Sequence, residues 1–207
     1  MGVQIINKDV SVVSSVIGKI KASISNILNT TGWSGGGGPA SQGPLVPAIA
    51  VELIDGDVTW NNITNIQNNT NNSTYAYATI ITSQQPSTIY VRNFGFSIPT
   101  SATINGITVQ INKFADNDMT DESVFLVNNT GTAVGTNKKI TAYFWPGNNT
   151  APQTYGGSSD LWGTTWTPSI INSNNFGLHL KPYWGSYTKF NFGVYVSWVK
   201  ITVNYTT

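Results

Sequence analysis

The stretch FGVYVSWVKITVNY, residues 192–205, decides how the chain is read. Val194, Val196 and Trp198 alternate in it with Tyr195 and Ser197, a period of two that gives a strand one buried and one wet face. Working outward from it, Ile107, Val109 and Ile111 repeat the pattern inside TINGITVQINKFA at 103–115. TYAYATIIT at 74–82, TIYVRNFGF at 88–96, ESVFLVNN at 122–129, KKITAYF at 138–144 and FGLHLK at 176–181 carry the same β-branched and aromatic content between Asn, Gly and Pro breaks. About seven or eight strands follow from this count. No amphipathic helix is evident after residue 30, so two sheets must cover each other. The expected fold is all-β, an antiparallel β-sandwich of jelly-roll or immunoglobulin-like kind over residues 48–207, its strand order left open. The polar tract NNITNIQNNTNNST at 61–74 reads as an exposed loop.

Residues 1 to 45 differ in kind from everything after them. Val13, Val16, Ile17, Ile20, Ile24, Ile27 and Leu28 fall at offsets of three and four, the stripe of an amphipathic helix. The repeat VSSVIG at 13–18 and ISNILN at 24–29 suits an extended arm equally well. Residues 1–32 are therefore an N-terminal arm, extended or partly helical, whose apolar stripe needs something to bind. WSGGGGPASQGPLVP at 33–47 reads as a flexible linker of Gly, Ser and Pro.

Composition excludes several classes of function. Charged residues are only 9% of the chain, against about 25% in an average soluble domain, while 40% are hydrophobic and 12% aromatic. A core can form, and solubility rests on amides and hydroxyls. A net charge of +1 gives no surface for counterion release, so no nucleic-acid partner is expected. Cysteine is absent, which removes disulfides and thiolate metal sites. No apolar run reaches the roughly 18 residues of a bilayer span, and the first residues show no basic segment followed by a continuous apolar stretch. Neither membrane insertion nor a cleaved export leader is expected.

Few side chains are candidates for chemistry. Asp116, Asp118, Asp121 and Glu122 cluster in DNDMTDE, where hard oxygen ligands could hold calcium, although the EF-hand glycine is missing and a solvated acidic turn is the simpler reading. No metal site, cofactor or catalytic residue is assigned. The lone His179 cannot build a two-histidine metal site and reads as structural. Neither a GxSxG elbow nor a phosphate-binding GxxxxGK[ST] loop occurs. Aromatics are the residues available for recognition: Trp145, Tyr155, Trp162, Trp166, Tyr183, Trp184 and Tyr187 crowd a loop-rich region. Exposed, they would stack on sugars; inward-facing, they would plug the ends of the sandwich, the preferred alternative.

FGFSIPTSATINGITVQI at 94–111, VFLVNNTGTAVGTNKK at 124–139, YGGSSDLWGTTWTPSIINSNNFGLHL at 155–180 and VSWVKITVNY at 196–205 together resemble a β-rich domain of tailed-bacteriophage virion structural proteins. The resemblance spans residues 60 to 207. Its most specific part is YGGSSDLWGTTWT, with Gly156, Gly157, Asp160, Leu161, Trp162, Gly163 and Trp166 in the pattern. It implies a non-enzymatic virion component, a head decoration or head fibre, or a tail or baseplate adhesin. On that reading the arm docks into a capsid or tail lattice of other virion proteins or drives homo-oligomerisation, most simply to a trimer. The domain then stands on the surface of the extracellular particle after assembly in the host cytoplasm, where it could meet a host-surface glycan. A stand-alone carbohydrate-binding module is the rival reading, and a polysaccharide depolymerase is a third.

Overall fold

A computed structural model describes residues 38–81, 83–185 and 191–207. The arm residues Val13, Val16, Ile17, Ile20, Ile24, Ile27 and Leu28 lie outside the described residues, as do residues 33–37 of the expected linker and Tyr187. The chain divides into Met1–Gly38 and Pro39–Thr207, and every described strand belongs to the second unit.

Among the described residues ten strands form two antiparallel sheets: β1 (Pro39–Leu45), β2 (Ile49–Glu52), β3 (Ala76–Ile80), β4 (Ile89–Arg92), β5 (Thr103–Ala115), β6 (Thr120–Val127), β7 (Ala133–Val134), β8 (Gln153–Gly156), β9 (Gly177–Tyr183) and β10 (Phe192–Thr206). One sheet runs β1-β10-β5-β8, with β3 also on β10; the other runs β2-β4-β9-β6-β7. The pairs nest, β3 with β10, β4 with β9, β5 with β8 and β6 with β7, and successive strands from β3 to β6 alternate between sheets. That is the winding of a jelly roll, which resolves the alternatives the sequence left open. Ile107, Val109 and Ile111 from one sheet and Val91, Val124, Leu126, Leu178 and Leu180 from the other are buried in one core. A short helix, α1 (Pro168–Ile171), is capped by Thr167, whose hydroxyl accepts from Ile170 N.

Three expectations are corrected. The linker does not reach residue 47: Pro39–Leu45 pairs with β10, Pro39 opposite Thr206 and Gln42 opposite Val203, so the folded unit begins at Pro39 instead of residue 48. Gly and Pro content read as flexibility, but the open edge of β10 offers backbone partners that this segment takes up. Residues 138–144 are not a strand. They run beside β6 and keep two backbone bonds to it, Lys138 N to Val124 O and Asp121 N to Ile140 O, yet the Asn137 side-chain carbonyl accepts from Val124 N and the Asp121 carboxylate from Ile140 N, so side chains interrupt the backbone ladder. The third concerns the polar tract. It contains a 3-10 turn, Ile63–Ile66, with Ile66 fully buried, and Asn69 is buried too.

That tract compensates for an irregularity in β10. The register with β5 passes from Val196 opposite Lys113 to Trp198 opposite Asn112, leaving Ser197 as an extra residue. Such a bulge reverses the alternation. Val194 and Val196 face the core, and then Val199, Ile201 and Val203 do. Trp198 leaves the expected inward set: its Nε1 donates to Asn72 Oδ1 at 2.7 Å, and the Lys200 ammonium lies 4.1 Å from its ring centre. The carbonyl of Ser197 accepts from Asn69 Nδ2 at 2.7 Å.

Candidate functional site

The motif at 155–166 is a clamp across β5. The Ile107 carbonyl accepts both Gly157 N, at 3.2 Å, and Trp162 Nε1, at 2.9 Å, while Ile107 N donates to Asp160 O at 3.0 Å. Trp162 is fully buried with φ 56°, held there by Asp160 Oδ1, which accepts from its backbone N at 2.7 Å. Asp160 Oδ2 accepts from Lys138 Nζ at 2.7 Å, and that hydrogen bond is the main reason its carboxyl lies below the usual aspartate range. Gly156 sits at φ 69°, and a Cβ there would lie 2.3 Å from Ile107 O and 2.5 Å from Trp162 Nε1. Only glycine allows the loop to cross so closely.

Of the seven aromatic residues available for recognition, Trp145, Tyr155, Trp162, Trp166 and Trp184 are buried, Tyr183 is exposed, at 43%, and Tyr187 lies outside the described residues. The five fill the core. Trp166 packs edge-on to Phe176 and donates from Nε1 to Leu161 O, and Trp184 packs against Phe192. They do not form one exposed platform. Tyr183 belongs to a shallow depression of about 370 Å³ lined by Gln85, Thr120, Asp121, Glu122, Lys139, Thr141 and Tyr183. Gln85 is committed on both sides of its amide, accepting from Trp184 N and donating to Trp184 O.

Beneath that depression lies a buried polar cluster that sequence reasoning missed. Lys113 continues the inward parity of β5 after Ile107, Val109 and Ile111, and its side chain is fully buried. Its Nζ contacts Oδ1 of Asp121, at the start of β6, also fully buried. Trp145 Nε1 donates to Asp121 Oδ1 at 2.9 Å; Tyr155 O–H and Ile140 N donate to Oδ2 at 2.8 and 3.0 Å. The ammonium lies 4.3 Å from the Trp145 ring centre and 5.2 Å from that of Tyr155. Burial pushes Lys113 down to about 8 against the opposing pull of Asp121. Burial, reinforced by the neighbouring carboxylate, raises Tyr155. The sequence signal was a lysine at an inward position of the best strand, two residues past Ile111.

The acidic run is thereby dispersed. Asp121 points inward, and Asp116 Oδ2 accepts from Gly193 N and Tyr195 O–H. Glu122 lies 3.9 Å from Lys181. Among the described residues no group of three or more His, Asp or Glu side chains is placed to hold a metal ion. His179 sits in β9, its ring edge-on to Tyr90 at 4.7 Å.

No family model matches the sequence, and no curated protein does. Among solved structures, the chain is similar to one described as the cyanophage Pam1 capsid asymmetric unit, at 12% identity over 84% of this chain and 87% of that one, with a TM-score of 0.32. At that score, role has to be argued from the chain's own residues.

Proposed function

We propose that this chain is a non-enzymatic structural protein of a tailed-bacteriophage virion, with residues 39–207 displayed on the particle surface and the preceding segment as its anchor. One observation carries the reading. The motif most specific to the resemblance, YGGSSDLWGTTWT, is used up internally: Gly156 permits the crossing, Trp162 and Gly157 bind the Ile107 carbonyl, and Asp160 joins Lys138 to the Trp162 backbone. What the resemblance transfers is an architecture, and the virion role is the function we propose for it. Two features support the same reading. β1 zips Pro39 directly against Thr206, so a load carried by the upstream segment enters the sheet through strand hydrogen bonds. The chain has no cysteine and little charge, properties that suit a surface exposed to changing redox and salt. Capsid decoration, head fibre and tail or baseplate component all fit this layout, as does a homo-oligomer formed through the arm. Gradient-purified particles of the encoding phage are expected to contain the chain in many copies. Its recovery only in the soluble fraction of the lysate would overturn the proposal.

The rival carbohydrate-binding reading retains one specific observation, exposed Tyr183 at the rim of a depression that also presents Thr120, Thr141, Glu122 and Lys139. A ring beside hydroxyls and charges is what sugar stacking requires. On that reading the domain binds an immobilised glycan and Tyr183→Ala loses the binding with the melting temperature unchanged.

A further inference from the structure

Two charges that have left water must recover their hydration from each other, and a buried ion pair rarely does so fully. The Lys113 and Asp121 side chains are both wholly buried, eight residues apart, and each comes from a different sheet. Two aromatic rings flank the amine, and the two oxygens of the carboxylate are held unequally. Oδ1 faces the lysine and accepts from Trp145 Nε1; Oδ2 is turned away from it and held by the Tyr155 hydroxyl and the Ile140 amide. This is the arrangement an acyl transfer needs. It places a nucleophilic nitrogen against a carboxyl, two donors on the oxygen that becomes the oxyanion, and one oxygen positioned to leave.

We propose that Lys113 and Asp121 condense to an intramolecular isopeptide bond that ties β5 to β6 across the two sheets. One proton passes from the Lys113 ammonium to Asp121 Oδ1, giving a neutral amine and a carboxylic acid. Nζ then attacks Cγ. Negative charge gathers on Oδ2, where Tyr155 O–H and Ile140 N–H stabilise it. As the Cγ–Oδ1 bond breaks, a second proton from Nζ joins Oδ1, and one water leaves. An ammonium and a carboxylate become a neutral amide and water, with no oxidant, metal or outside proton required. The product removes both buried charges and supplies a cross-link to a chain that has no cysteine.

Intact mass measurement of the denatured full-length protein reads the outcome directly. The expected mass is one water below that of the sequence, with fragment spectra joining Lys113 to Asp121 and no tryptic cleavage after Lys113. Lys113→Arg, which keeps the charge but cannot form the bond, is expected at its full sequence mass, and Tyr155→Phe at a reduced cross-linked fraction. A wild-type protein at full sequence mass overturns the proposal. So does a water loss that persists in Lys113→Arg or maps to another residue, such as a cyclised aspartate. The test is independent of any role on a virion.

Discussion

Trp162 holds an energetically expensive backbone conformation because its indole does two jobs, filling core volume and donating to Ile107 O. Replacing it with alanine leaves a large cavity and strips the Ile107 carbonyl of a donor, a loss of about 3–5 kcal/mol. Melting curves should show it; a shift of only a degree or two would mean that the clamp does not hold the domain. His179 makes a different prediction. Burial lowers its pKa below the ordinary imidazole value, with Asp55 pulling weakly the other way, and its Nε2 has no hydrogen-bond partner among the described residues. The unfolded chain therefore binds this proton more readily than the folded one, so stability is full above pH about 6.5 and falls as pH drops towards the folded value. The melting temperature measured against pH should bend downward in that window, ahead of the carboxylates, and His179→Phe should remove the bend. Such residue-scale facts were only partly legible in the sequence. Five of the aromatics lie in the core and Tyr183 does not, while the place of Lys113 inside it is not legible, because a charge on an inward position makes sense only once Asp121, Trp145 and Tyr155 are seen around it.

At the scale of elements, periodicity located β3, β4, β5, β6, β9 and β10, since each carries its own alternation or β-branched run. Elements defined by a partner were harder to see. Pro39–Leu45 has no hydrophobic pattern of its own and becomes a strand because β10 extends past β3 and needs a neighbour. Residues 138–144 have the pattern, but their ladder with β6 is interrupted by the Asn137 and Asp121 side chains. The bulge at Ser197 shows why alternation alone misplaces Trp198: one extra residue reverses faces, and Asn69, over a hundred positions away in the chain, satisfies the carbonyl it frees. A chain beginning at residue 46 should therefore melt well below one beginning at residue 39, because it exposes the edge of β10 at 201–206. Equal melting temperatures would mean that β1 adds nothing to the sheet.

For the whole molecule, the winding follows from nested pairing of strands that are far apart in sequence, which no local signal encodes. Composition could state that two sheets must cover each other; it could not say which strand lies beside which. On the proposed function the molecule works by being held and presented, with most of its aromatic side chains holding the sandwich together. The direct measurement is electron microscopy of purified particles of the encoding phage, labelled with an antibody raised against residues 39–207. Regular decoration at fixed positions on intact particles is expected. Particles that carry no label, from a lysate in which the same antibody detects the free protein, would contradict it.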